Sequence, residues 1–266
     1  MEEKIDKQIH ADEIKLRLLM TDGCNLNCAF CLNDFQPKPE GNPLFLDSII
    51  AGSAIEEYAS FFEERYPLQV YFSGGEPTLH PDLVGLMDHA RSFGCRVTLN
   101  TNGKFPDFLE SDLVMVADNI HFGTYKKDEN HAERVKRMGG LVQGIYPYAD
   151  EDFVEFYSSY GLPIKIFRDF YDRNNGYETF AQKVSERFPD ADLSFRHTGI
   201  QENRGPGCDG CDKRCVTLKA AWVFPDGGSS PCPQLHMHPK VYLRSHEEWS
   251  EYFRDVERYH KRENGF

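Results

Sequence analysis

Hydrophobic and polar positions along this chain fall into a repeating strand-then-helix rhythm. Glu13–Met20, EIKLRLLM, reads as a β-strand that runs directly into a cysteine-bearing loop, and Leu46–Tyr66 has the apolar spacing of a helix. Strand candidates recur at LQVYFS, CRVTLNT, NIHFGT, LVQGIY and PIKIFRDF. Helical patterns lie between them at about Asp82–Phe93, Phe105–Val116, Asp150–Tyr160 and Tyr177–Phe188, while Tyr125–Gly140 shows no clear period. Six strands alternating with helices predict a parallel α/β sheet, closed or partly closed into a barrel. In such sheets the reactive groups sit on loops after the carboxyl ends of the strands.

The rhythm stops after about Phe188, and a domain boundary is expected near Asp190. From SFRHTGI to HMHPKVY the chain is rich in Gly, Pro and Cys, with two short strand-like pieces flanking PDGGSSPC, the pattern of a small hairpin stapled by cysteines. SHEEWSEYFRDVERYHKR reads as a surface helix whose charges form a solvated face. The expected domains are thus 1–190, 191–245 and a terminal helix over 246–266.

Composition narrows the setting. With 266 residues, 40% hydrophobic and 27% charged, the chain has the usage of a soluble globular protein. Its amino terminus is charged and lacks an apolar signal core, and no run reaches the length of a membrane span, so a cytoplasmic protein is expected. A net charge of −13 lacks the basic footprint of nucleic-acid binding.

Eight cysteines in a cytoplasmic chain point to metal or catalysis rather than disulfides. Cys95 opens a β-branched run and reads as a buried structural thiol. Cys24, Cys28 and Cys31 form one group, and Cys208, Cys211, Cys215 and Cys232 another. Structural zinc and most electron-transfer clusters want four protein ligands. The trio therefore either lacks a distant partner, as in a zinc site completed from elsewhere, or leaves a coordination position open for chemistry. The quartet looks closed, as a cluster or as a zinc ribbon. His236 and His238 could bind metal, with loop polars as the other and commoner reading. Arg168, if at the carboxyl end of strand six, could meet an anionic substrate group or form a surface salt bridge; Lys165 has the opposite parity.

The loop TDGCNLNCAFC, with C-x3-C-x2-C spacing and Phe30 just before the third cysteine, resembles the signature of the radical S-adenosylmethionine (radical SAM) enzymes. Ser73-Gly74-Gly75-Glu76-Pro77, after the second strand, matches that family's GGE motif, and Asn100-Thr101-Asn102-Gly103 ends the third strand as in many members. The resemblance covers roughly residues 13–170 and implies a partial (β/α)6 barrel. It further implies a [4Fe–4S] cluster on Cys24, Cys28 and Cys31 and an S-adenosylmethionine chelated to the fourth iron. Phe30 would lie against the adenine, Gly74 and Gly75 would let backbone approach the ligand, and Glu76 would pair with the methionine ammonium. Asn100, Asn102 and Thr124 are candidates for ribose or carboxylate contact, with a turn or cap role as the other reading of Asn102 and Thr124. The stretch after strand four lacks the family's Ser-Leu-Asp phrase. About a dozen residues precede the first strand, and no winged-helix leader-recognition domain is expected there.

The second cysteine group, with its Pro-Asp-Gly and Pro-Cys phrase, is similar to the small carboxyl-terminal auxiliary-cluster domain called Twitch, implying a second [4Fe–4S] cluster. The activity implied is reductive cleavage of S-adenosylmethionine to a 5′-deoxyadenosyl radical that takes a substrate hydrogen atom. A ribosomal peptide or a small natural product would be modified by oxidation or by C–S or C–C bond formation, with an external electron donor such as flavodoxin or ferredoxin. Two other readings stand beside it: an activase that installs a glycyl radical in a partner protein, and a non-catalytic iron–sulfur or zinc protein.

Overall fold

A computed structural model describes residues 14–28, 31, 42–168, 176–196, 220–231 and 240–263. The strand–helix rhythm is realised as β1 (Lys15–Leu19), α1 (Ser48–Phe62), β2 (Gln69–Ser73), α2 (Leu83–Ser92), β3 (Arg96–Thr101), α3 (Glu110–Val116), β4 (Asn119–Gly123), α4 (Glu129–Arg137), β5 (Leu141–Tyr146), α5 (Glu151–Ser159), β6 (Ile164–Arg168) and α6 (Gly176–Arg187). These are the six strand–helix units expected, and α4 occupies the stretch that showed no clear period. Beyond them lie β7 (Leu193–Arg196), β8 (Ala220–Val223), β9 (Ser229–Ser230) and α7 (His246–Glu263). The fold is α/β with mostly parallel pairing. It divides into two compact units, one drawn from residues 10–99, 105–118 and 199–266, the other mainly from 100–104 and 119–198.

In the first unit β1 lies between β2 and β8, parallel to both, and β3 continues the parallel set beyond β2. The register places fully buried apolar side chains side by side: Leu16 beside Val70 and Ala221, Leu18 beside Phe72 and Val223. The helices answer with apolar faces of their own. In α1, Ala51, Ala54, Ile55, Tyr58, Ala59 and Phe62 recur at helical spacing and are buried. Asp47 starts this helix by accepting from the backbone N–H groups of Ile49 and Ile50 at 2.8 and 3.2 Å. The Tyr58 hydroxyl donates to Ile14 O at 2.6 Å and accepts from Gln69 N–H at 3.0 Å, tying the starts of β1 and β2 to the helix.

The terminal helix differs from expectation in one respect. It has a charged face, but Trp249, Tyr252, Phe253 and Val256 are buried, and Phe253 meets Tyr58, Phe61 and Phe62 at ring centroid distances of 6.0, 5.8 and 5.4 Å. It is a packed helix, because four apolar side chains at i, i+3, i+4 and i+7 make a stripe wide enough to cover α1. Of the two strand-like pieces expected to flank PDGGSSPC, the first is β8; its antiparallel partner β9 lies inside that phrase instead of after it, with Trp222 opposite Ser230 and Val223 opposite Ser229. Gly228 N–H donates to Asp226 Oδ1 at 3.1 Å and closes the turn. Cys95 is buried as expected, and that burial pushes its thiol up to about 12.

In the second unit β4, β5, β6 and β7 are parallel neighbours in that order. Asp128 and Asp150 cap α4 and α5, accepting from His131 N–H at 3.2 Å and Phe153 N–H at 2.9 Å. Among the described residues no helix is long and apolar enough to cross a membrane.

Candidate active site

The cysteine loop and the Gly-Gly-Glu segment leave the carboxyl ends of neighbouring parallel strands and stay hydrogen bonded after the strands end. Met20 N–H donates to Ser73 O, Gly75 N–H to Thr21 O and Glu76 N–H to Gly23 O, each at 2.8 Å. On its other side the loop is held by the chain before α1: Asp22 N–H donates to Leu44 O at 3.1 Å, Leu44 N–H to Asp22 Oδ1 at 2.7 Å, and Leu46 N–H to Met20 O at 2.9 Å. The backbone leading into Cys24 is thus clamped from both sides.

This closeness explains the two glycines. A Cβ on Gly75 would lie 1.9 Å from Gly23 O, and Gly74 has φ +132° with its absent Cβ 2.7 Å from Thr21 O. No other residue fits either place without moving the loop. Glu76 is fully buried. Its Oε1 accepts from Thr78 N–H at 3.1 Å and from Thr78 Oγ1 at 2.6 Å, which caps the short turn Pro77–Leu79 and fixes the carboxylate's direction.

Cys24, Cys28 and Cys31 are half-buried thiols. Leu26 N–H donates to Cys24 Sγ at 3.4 Å, and Cys31 N–H to Cys28 O at 3.1 Å, so the loop folds back on itself. Among the described residues no three His, Cys, Asp or Glu side chains form a shell around one metal ion. Phe30 lies outside the described residues, as do Cys208, Cys211, Cys215, Cys232, His236 and His238.

The remaining candidates belong to the second unit. Asn100 Oδ1 is 3.1 Å from His121 Nδ1, which is 3.0 Å from Gln143 Nε2; His121 and Gln143 had no signal in the strand pattern beyond their polar parity. Asn102 accepts from Lys104 N–H at 2.8 Å through Oδ1, with Gly103 at φ +74°, and the Thr124 hydroxyl accepts from Lys126 N–H at 3.2 Å. Both occupy the turn roles open to them. His131, buried beside Gly103, was also missed. Burial pulls its imidazole down to about 4, with Lys104 and Arg134 adding to the effect and Asp128 opposing it.

Residues 18–142 match the family model described as the Radical SAM superfamily. This stretch is a radical SAM domain. Curated relatives include a GTP 3′,8-cyclase of Aquifex aeolicus, 29% identical over 49% of this chain and 42% of that protein. A 7-carboxy-7-deazaguanine synthase of Rhodopirellula baltica is 29% identical over 47% of this chain and 49% of that protein. The PqqA peptide cyclase of Gluconobacter oxydans is 34% identical over 46% of this chain and 32% of that protein. The chain thus spans less than half the length of these curated relatives. Among solved structures, Streptococcus suis SuiB bound to precursor peptide SuiA superposes with a TM-score of 0.67 at 10% identity, covering 89% of this chain and 63% of that one. The anSMEcpe structure with bound AdoMet gives 0.61 at 16% identity, covering 91% and 82%. These two likenesses concern the fold. A radical SAM domain implies S-adenosylmethionine and a [4Fe–4S] cluster. The residues present fit both: three accessible thiols on a clamped loop, beside a glycine pair whose backbone admits no side chain.

Proposed function

We propose that this chain is a radical SAM enzyme in which Cys24, Cys28 and Cys31 hold the [4Fe–4S] cluster and the Gly74–Glu76 segment receives the methionine end of S-adenosylmethionine. Loaded with both groups and reduced, such a site would supply one electron to split the sulfonium C–S bond of S-adenosylmethionine into methionine and a 5′-deoxyadenosyl radical able to take a substrate hydrogen atom. The protein's own residues do simpler work. The Gly75-to-Thr21 and Glu76-to-Gly23 hydrogen bonds fix the backbone that leads into Cys24 against the backbone of the acid, and Thr78 aims the Glu76 carboxylate. That backbone coupling is the observation that carries the proposal, because it joins the two motifs whose joint presence the chemistry requires.

The substrate we propose is a ribosomal peptide, with a small natural product as the other class. The fold likeness to SuiB with its bound precursor peptide and the similarity to the PqqA peptide cyclase support the first, and the similarity to the GTP cyclase supports the second. An external electron donor such as flavodoxin or ferredoxin would reduce the cluster. We further assign Cys208, Cys211, Cys215 and Cys232 to an auxiliary [4Fe–4S] cluster in a Twitch-like segment around the β8–β9 hairpin. With four thiolates it would serve as electron acceptor or pocket wall.

Anaerobic reconstitution tests both assignments. About eight irons per chain are expected, with about four left after Cys28→Ala, which also stops 5′-deoxyadenosine formation. About four irons with one zinc in the wild type would defeat the auxiliary assignment. Full 5′-deoxyadenosine formation by Cys28→Ala would defeat the first.

A further inference from the structure

Parallel strands covered by helices on both faces read as continuous apolar runs. The strands of the first unit do not. Along β1, Leu16 and Leu18 belong to the buried aliphatic rows, whereas Lys15 and Arg17 point to the opposite face. The register extends that second face across the sheet: Arg17 stands beside Tyr71 in β2 and Trp222 in β8, with Thr98 beyond Tyr71 and Ser230 beyond Trp222.

The Arg17 guanidinium lies over both rings, 4.6 Å from the centroid of Tyr71 and 5.1 Å from that of Trp222. Such contacts stabilise a cation modestly. They do not replace hydrogen-bond acceptors for its five donors. Among the described residues no carboxylate pairs with Arg17. Beside it, Trp222 Nε1–H is buried with no hydrogen-bond partner among the described residues. A half-buried arginine and an orphaned indole donor, adjacent on one row, are costly as they stand. Burial accordingly pulls the guanidinium down from its ordinary value, and Tyr71 opposes the shift. The row sits two residues before Leu19 and Ser73, roughly 7 Å along the strands from where the cysteine loop and the Gly-Gly-Glu segment begin.

We infer that Arg17, framed by Tyr71 and Trp222, is the anchor for a carboxylate of the substrate, with Trp222 Nε1–H as a second donor to the same group. A guanidinium fork matches the planar carboxylate in two parallel hydrogen bonds, and one guanidinium matches a single negative charge. The word substrate rests on the radical SAM reading. Carboxylate binding at Arg17 does not, and it is measurable whether or not S-adenosylmethionine is cleaved.

The chain has two tryptophans, so ¹⁵N-tryptophan labelling of the full-length, anaerobically reconstituted protein gives two indole N–H signals, assigned by Trp249→Phe. Benzoate, its neutral isostere benzamide and inorganic phosphate are the probes, followed by NMR and by calorimetric titration. The expected result is a saturable shift of the Trp222 signal with benzoate and none with benzamide. Benzoate affinity should fall about 10- to 100-fold in Arg17→Met. That variant should melt no lower than the wild type without probe, and benzoate should raise only the wild-type midpoint. Equal response to benzamide, an unchanged affinity in Arg17→Met, or no binding of benzoate would overturn the proposal. Tighter binding of phosphate than of benzoate would overturn the carboxylate assignment, and a large fall in the Arg17→Met midpoint would make the stack a structural element instead.

Discussion

Replacing Gly75 by alanine strikes the contact on which the candidate site depends. The new Cβ would sit 1.9 Å from Gly23 O and 2.5 Å from Gly23 C, against roughly 3.5 Å for a relaxed contact, so the two loops must part by about 1.5 Å. The Gly75-to-Thr21 and Glu76-to-Gly23 bonds, now 2.8 Å each, would open beyond hydrogen-bonding range. Two lost hydrogen bonds at about 1 kcal/mol each, with about 1–3 kcal/mol for overpacking, give a destabilisation of about 3–5 kcal/mol. Gly85 supplies the comparison. It lies in α2 with nothing within 4 Å of its would-be Cβ, and Gly85→Ala should stabilise by about 0.5–1 kcal/mol. Urea unfolding of both variants, with iron content after reconstitution, makes the test. If Gly75→Ala lost less than about 1 kcal/mol and kept its iron, the clamp would not hold the thiol loop, and the reasoning from backbone contact would fail.

Two further substitutions separate structure from chemistry. Glu76→Ala removes the acceptor for Thr78 and should cost about 1 kcal/mol without cofactor, whereas Glu76→Gln keeps that acceptor and should instead weaken S-adenosylmethionine binding about 10-fold or more in equilibrium dialysis; wild-type binding by Glu76→Gln would remove the ammonium contact from the mechanism. His131 protonates near 6.5 when unfolded and at about 4 when folded, so from pH 6.5 down to 4 the unfolded state takes up the extra proton and stability falls, by about 3 kcal/mol in total. The difference in urea stability between wild type and His131→Leu, followed across that window, should show this slope, and a pH-independent difference would contradict it.

The cysteine loop and the Gly-Gly-Glu segment could be brought together from sequence because both follow apolar strands, and successive strands joined by a helix become parallel neighbours with their loops at one end. What escaped notice had weaker local signals. Helix α4, ENHAERVKR, buries only His131, Ala132 and Val135, so its period is faint; the cue was Asp128 as cap, with Gly139 at φ +64° beyond the end. Strand β7 is four residues long and follows Pro189-Asp190 closely, where the apolar pattern is broken. In α7 the many charges hid an aromatic stripe. The parallel pairing of β8 with β1 joins residues about 200 positions apart, and nothing local in AAWV names its partner. That unforeseen pairing is what brings Trp222 to Arg17.

The polar row also bears on register. A slip of β1 by one residue would turn Arg17 into the layer of Leu16, Leu18, Val70 and Phe72, where a charge has no acceptor and displaces aliphatic contacts. Arg17 and Lys15 therefore penalise the wrong pairing as well as facing the site in the right one. Arg17→Met relieves only part of that penalty, because Lys15 keeps the same parity and Leu16 and Leu18 still require the buried face. The strand should hold its register in the variant, so loss of carboxylate binding there would report on the missing guanidinium itself and not on a shifted β1.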